Sequence, residues 1–229
     1  MNYGEPSARN KITTMNNTNP IWLASYPRSG NTLLRTILWQ CFGFRSGSYY
    51  PNDLLGNEKL EEYVGHIEYG PDNQIRFPRG SIPLIKTHEY DNDNNPAIYV
   101  IRDGRAASVS LWKLFNYRFS LEEIIIGQRH QFGTWTNHIE SWDPWNRPKT
   151  LLLKYEDLIN SLSGELDSIS DFLNTPVLKH NIPDRSIIAG VSGRMVKNKS
   201  DWQSELSGEL LELFLALNGD MLRKTGYLD

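Results

Sequence analysis

Four short stretches of this chain hold residue types that together could grip an anion and move a proton beside it. Ser25-Tyr26-Pro27-Arg28-Ser29-Gly30-Asn31-Thr32 combines a guanidinium, several hydroxyls and a glycine that lets backbone N–H groups approach a ligand closely. Lys86-Thr87-His88 sets an ammonium two residues from an imidazole, the side chain best suited to proton transfer near neutral pH. Arg102, followed by Ser110, offers a planar fork able to donate two parallel hydrogen bonds to phosphate oxygens. Tyr155-Glu156-Asp157-Leu158 adds a phenol ahead of two carboxylates that favour the first turn of a helix. Singly, a helix-face Ser, a lone His or a strand-end Tyr is usually structural; their order along the chain carries the reading.

The elements that must position these residues are legible in the hydrophobic pattern. Ile21 to Ser25 is a short apolar run of the kind buried in a parallel sheet, and Leu33, Leu34, Ile37, Leu38 and Cys41 then recur at helical spacing. Ile82 to Ile85, reaching Lys86, and Ala97 to Ile101 predict two more strands, and Thr150 to Lys154 a further one. Helices are expected over Arg105 to Phe115, Leu121 to Gln128 and Phe132 to Trp142. Another should carry Leu158, Leu162, Leu166, Ile169 and Leu173 on one face, and a last one Leu206, Leu210, Phe214, Leu217 and Met221. Arg45 to Arg79, with scattered Gly, Pro and Asn, reads as a surface excursion with one helix near Glu58 to Val64. Strands alternating with amphipathic helices predict an α/β fold, a three-layer sandwich around a central parallel sheet, whose ligands bind at the carboxyl ends of the strands. All four chemical stretches fall at such ends.

Length and composition bound the rest. At 229 residues, with 39% hydrophobic and 22% charged residues, the chain can bury one substantial core, and a single domain over 21–229 is expected behind a flexible leader at 1–20 rich in Asn, Thr and Ser. Against 27 acidic residues the 24 Lys and Arg leave a net charge of -3, so no global basic field points to nucleic acid or an anionic membrane, and an anion site must be local. Cys41 is the only cysteine; it lies on the apolar face of its helix, is read as core, and fits a reducing compartment such as the cytoplasm. No apolar run reaches the roughly 20 residues of a transmembrane helix, and no grouping of His, Cys, Asp and Glu has metal-ligand spacing, so neither a membrane span nor a metal is expected.

Compared with the phosphate-binding pattern GxxxxGK[ST], the first loop has Ser25 for the first glycine and Asn31 for the lysine; the cation has moved to Arg28. That arrangement resembles the loop YPKSGTT of sulfotransferases dependent on 3′-phosphoadenosine-5′-phosphosulfate (PAPS). In that family the loop grips the 5′-phosphosulfate end of the donor, which implies donor contacts for Arg28, Ser29, Gly30, Asn31 and Thr32. Tyr99 to Ser110 resembles the family's 3′-phosphate motif, implying that Arg102 and Ser110 hold the phosphate that distinguishes PAPS from ATP. Ile85-Lys86-Thr87-His88 is similar to the family's KTH segment, which implies His88 as general base and Lys86 as a neutraliser of charge on the transferring group. Tyr155 falls in a YEDL-like segment, where the family's tyrosine approaches the nucleotide. The family's C-terminal RKGxxGDWK loop is matched less well: Gly193 to Gln203 keeps Asp201-Trp202 and offers Arg194 and Lys197, with displaced spacing. Leu33 stands where the family often has an aromatic residue.

The resemblance implies a P-loop-like fold and transfer of a sulfonate from PAPS to a hydroxyl or amine, with product 3′,5′-adenosine bisphosphate (PAP). Arg28, whose guanidinium stays protonated across the physiological pH range, keeps the charge of the family's lysine but cannot serve as a proton donor, so it is expected to act as an electrostatic clamp. Trp112, Phe115, Tyr117, Phe119, Phe132, Trp135, Trp142 and Trp145 are each read as core before pocket, yet as a group they favour a small-molecule acceptor over a long saccharide. Two other readings stay open: a P-loop kinase-like phosphotransferase, and a catalytically silent PAP-binding protein. The pattern sets neither acceptor nor oligomeric state.

Overall fold

A computed structural model describes residues 19–182, 190 and 202–229. Its centre is a five-stranded, all-parallel sheet in the order β2-β3-β1-β4-β5, formed by β1 (Ile21–Ala24), β2 (Ser46–Ser48), β3 (Leu84–Thr87), β4 (Ala97–Ile101) and β5 (Thr150–Lys154). Alternation along the strands sorts side chains to two faces. Leu23, Leu84, Ile98, Val100 and Leu153 pack against α1 (Asn31–Phe42), α6 (Tyr155–Asn160) and α7 (Leu162–Leu173). Ala24, Ala97, Tyr99 and Ile101 face the opposite layer, made by α3 (Gly104–Leu114), α4 (Leu121–Ile125), α5 (Trp135–Trp142) and α9 (Glu209–Thr225). The short α2 (Glu58–Val64) packs beside α1, and α8 (Trp202–Glu205) beside α3. The expected three-layer α/β sandwich is therefore the observed one.

Several boundaries differ from those expected. Ser46 to Ser48, inside the supposed surface excursion, is a fully buried strand that extends the sheet beyond β3. Its sequence, Ser-Gly-Ser, has no apolar residue to announce it. The helix of the predicted 121–128 segment stops at Ile125, since Gly127 turns the chain at φ +71°. α5 starts at Trp135 because Thr134 caps it, its side chain accepting from the Asn137 N–H. The long helix expected after β5 is broken at Ser161, and Leu206 lies in the turn before α9. Cys41 is fully buried among core side chains of α1, as expected. Most of the supposed leader, and both Arg194 and Lys197, lie outside the described residues.

From β1 the chain runs outward to β2, returns through β3 and crosses to β4 on the other side, so β1 is where the strand order reverses. A crevice at the carboxyl ends of β3, β1 and β4 follows from that reversal.

Candidate functional site

The loop from Ser25 to Gly30 follows β1 and is bent by two left-handed residues, Arg28 at φ +68° and Gly30 at φ +104°. Gly30 is required twice over. Its backbone is left-handed, and a Cβ there would come within 2.4 Å of the Tyr155 ring. Gly30 also precedes α1, whose first turn has neither a side-chain cap nor an acidic residue, so its N–H groups and positive dipole end remain available to an anion. Ser29 is buried and its Oγ has no hydrogen-bond partner among the described residues, an orphaned hydroxyl within a phosphate-type loop. The Asn31 amide is divided: Nδ2 donates to the Leu23 carbonyl at 2.6 Å and ties the loop to the end of β1, while Oδ1 is buried with no hydrogen-bond partner among the described residues.

The sheet brings the third and fourth stretches against this loop. Arg102, at the end of β4, donates from Nη1 to the Arg28 carbonyl at 2.9 Å, and its guanidinium lies 4.5 Å from the centroid of the Tyr155 ring. Ser110, on α3, accepts from Arg28 Nε at 3.1 Å. Arg28, Gly30, Arg102, Ser110 and Tyr155, spread over 128 positions of sequence, thus form one cationic cradle. Thr32 lies in the first turn of α1, with its carbonyl taken up by the Thr36 hydroxyl.

Across β1, the second stretch fixes an imidazole. His88 Nδ1 lies 2.7 Å from the Ser25 carbonyl oxygen, which can only accept, so Nδ1 carries the proton and Nε2 keeps its lone pair. The His88 N–H donates to the Tyr50 hydroxyl at 3.0 Å, and that hydroxyl donates to Glu89 Oε1 at 2.7 Å. The His88 carbonyl accepts from His138 Nε2 at 3.1 Å; His138 Nδ1 in turn accepts from the Tyr99 hydroxyl at 2.8 Å. Tyr50 stacks on the His88 ring and Phe132 meets it edge-on, each at 5.9 Å between centroids. Burial, then the Lys86 charge, hold the His88 imidazole well below its ordinary pKa, so it is neutral at physiological pH.

Lys86 points from β3 to Asp53, with Nζ 2.5 Å from Oδ1. Asp53 Oδ2 accepts at 2.9 Å from Arg35, a guanidinium on α1 with no exposed surface. Burial alone would raise the Asp53 pKa, but the Lys86 and Arg35 charges outweigh it and keep the carboxyl ionised. Neither Asp53 nor Arg35 stands out in the sequence as a site residue. Arg35 leaves one signal there, a charge set between Leu34 and Ile37 on an apolar helix face; Asp53 leaves none. His138, assigned no role from sequence, holds the backbone of His88. Trp135 and Trp142 are core, and Phe132 is the aromatic residue that reaches the imidazole.

Four histidines are held below their ordinary pKa by burial first: His66 at about 4, His138 at about 3, and His88 and His130 in the same direction. Below pH ~6.5 the unfolded chain binds protons that the folded chain refuses, so stability must fall with pH there. His138 alone should contribute roughly 2 kcal/mol of that loss at pH 5. Urea unfolding at a series of pH values from 7 down to 4 checks this; a constant midpoint would contradict the assigned burial.

Among the described residues no group of three or more His, Cys, Asp or Glu could hold a metal ion, and no helix is long and apolar enough to cross a membrane. Comparison with known proteins agrees with the geometry. "Sulfotransferase 4A1" of Homo sapiens is 26% identical over 172 residues, covering 67% of this chain and 59% of the relative. Luciferin sulfotransferase of Photinus pyralis is 23% identical over 214 residues, 78% of this chain and 56% of that protein. The chain thus spans a little under three fifths of the length of these curated relatives. Among solved structures, a mouse sulfotransferase complexed with PAP superposes with a TM-score of 0.58 at 18% identity, covering 91% of this chain and 88% of that one. Retinol dehydratase in complex with retinol and PAP gives 0.60 at 18% identity, covering 89% and 81%. The family model for "Sulfotransferase domain" matches residues 18–210, most of the chain, and the chain therefore belongs to the sulfotransferase domain family.

Proposed function

We propose that this protein transfers a sulfonate group from PAPS to a hydroxyl, or an amine, of a small-molecule acceptor, with His88 as general base. The observation that carries the reading is the pair of arrangements flanking β1. On one side Arg28, Arg102 and Ser110 converge around the loop; on the other His88 is held as the tautomer whose Nε2 is free to accept a proton.

The residues present fit the donor. Gly30 and the uncapped start of α1 suit the 5′-phosphosulfate end, the orphaned Ser29 hydroxyl offers a donor inside the loop, and Arg102 with Ser110 suits the 3′-phosphate. Arg194 and Lys197 are further proposed contacts from the C-terminal loop. PAPS supplies an activated sulfonate on a good leaving group. The chain's residues do the remainder by alignment and charge stabilisation. His88 Nε2 takes the acceptor proton as the acceptor oxygen bonds to sulfur; the sulfur–oxygen bond to the departing phosphate breaks, its electron pair remaining on the phosphate oxygen beside Arg28 and the loop N–H groups. Lys86 neutralises charge on the transferring group. Solved relatives of the same fold were crystallised with PAP, retinol and androsterone, which supports a small acceptor. A single domain over 21–229 and a cytoplasmic setting, suggested by the lone buried Cys41, complete the proposal.

Thermal unfolding with PAP tests it. A ligand at about 100 times its Kd adds roughly 2.7 kcal/mol, which for a chain of this size raises Tm by about 5–10 °C. PAP should give that shift and ATP with Mg²⁺ should not. A larger shift with ATP and Mg²⁺ would favour a phosphotransferase, and PAP binding without transfer to any of a broad panel of alcohols, phenols and amines a silent nucleotide-binding protein.

A further inference from the structure

We infer that Asp53 is a positioning residue for sulfonate transfer, holding the Lys86 ammonium in its charged form and in a fixed place beside His88. The inference rests on the role given to Lys86 in the proposed function and goes beyond it, since nothing in the sequence pattern points to Asp53. A lysine ammonium ends a flexible four-carbon stem and has no preferred direction of its own. Here direction is imposed from the segment joining β2 to α2. Asp53 Oδ1 contacts Lys86 Nζ at 2.5 Å, and the carboxylate is itself locked from behind, Oδ2 accepting from Arg35 Nη1 at 2.9 Å. Arg35 cannot move in turn: Nε donates to Ser46 Oγ at 2.8 Å, and Nη2 to His66 Nδ1 at 2.6 Å and to the Ser46 carbonyl at 3.3 Å. The polar strand β2 is thus the anchor of a chain running Ser46, Arg35, Asp53, Lys86.

The charges facing Lys86 give this chain a second consequence. Burial presses the Lys86 pKa below the ordinary lysine value, Arg35 from α1 and Arg28 from the loop after β1 add to the pressure, and Asp53 opposes it. His88, on the same strand end, lies within reach of the Lys86 and Asp53 charges, and His66 and Glu68, beyond α2, face Arg35. Among the described residues Asp53 is the carboxylate that pairs directly with Arg35 and with Lys86. One negative charge against Arg35 and Lys86 leaves a net positive charge at the crevice, as an anionic donor needs. Without Asp53 the easiest relief for three crowded cations is loss of the Lys86 proton.

The experiment measures release of labelled sulfonate from PAPS to the best acceptor of an alcohol, phenol and amine panel, across pH 6 to 10. Asp53→Asn should lower kcat roughly 10- to 100-fold at pH 8, and its kcat should fall with rising pH at least one unit before that of the wild type. In a Lys86→Met background the same substitution should change kcat by less than about twofold, because its effect passes through Lys86. Wild-type kcat and pH profile in Asp53→Asn, or an equal loss in both backgrounds, overturns the inference. If Asp53→Asn does not fold, Asp53→Glu decides: a carboxylate one methylene longer should reduce kcat about tenfold with PAP affinity retained, and an unchanged kcat overturns the inference. A wild-type protein that neither binds PAP nor transfers sulfonate would instead sink the underlying reading.

Discussion

His88→Ala should lower kcat by roughly 10²–10⁴-fold while leaving PAP affinity unchanged, the loss expected when a positioned general base is removed. The imidazole is prepared for that task by its surroundings, and it touches the phosphate loop only at its first residue, Ser25, away from Arg28, Gly30, Arg102 and Ser110. Its Nδ1 proton is committed to the Ser25 carbonyl, its N–H to Tyr50, and its carbonyl to His138, so ring and tautomer are set before any ligand arrives. The pH dependence carries a sign. Burial and the Lys86 charge lower the proton affinity of His88, so kcat/KM, which reports the free enzyme, should stay flat well below pH 6.5 before its acid limb begins. With an anion held beside Lys86 and Arg28, the cationic field on His88 weakens and its proton affinity rises. The acid limb of kcat, which reports the complex, should therefore lie at higher pH than that of kcat/KM. Full-rate turnover in His88→Ala, or limbs in the reverse order, would refute the base assignment.

Arg102→Ala should weaken PAP binding by roughly 100-fold, since hydrogen bonds from a guanidinium to an anion are each worth about 1.5–3 kcal/mol. Adenosine 5′-phosphosulfate, which lacks the 3′-phosphate, should lose little affinity in the same variant. That contrast is needed because Arg102 also braces the loop: it donates to the Arg28 carbonyl and covers the Tyr155 ring that packs on Gly30. Equal losses for both nucleotides would mean that Arg102 acts by holding the loop in shape. Arg102→Lys keeps the charge without the planar fork and should recover only part of the affinity. Calorimetric titration with the two nucleotides separates these outcomes.

Both predictions concern residues that the amino-acid sequence alone singles out, and the reason is local. Arg28, Gly30, Lys86, His88, Arg102 and Tyr155 each sit at the end of an apolar run, and in a parallel sheet every such end opens on the same edge. Strand periodicity and turn residues therefore suffice to place them in one crevice. The cradle itself, with Arg28 bonded to Ser110 and Arg102 to the Arg28 carbonyl, needs the strand order, because β1 and β4 are neighbours only by virtue of a crossover.

Asp53, Arg35, Ser46 and His138 show what sequence could not reach. A buried polar contact has no period: its worth depends on a partner many positions away, as Asp53 is from Lys86, or on a backbone group that another strand end presents, as the His88 carbonyl is to His138. β2 escapes the hydrophobic pattern for the related reason that a strand of Ser-Gly-Ser is buried by what covers it, not by its own hydrophobicity. The α/β layering and the chemical groups at the strand ends follow from local patterns of apolar and turn residues, which the linear chain already carries. Which charge faces which emerges once the chain is folded, because electrostatic pairing is a matter of distance in space.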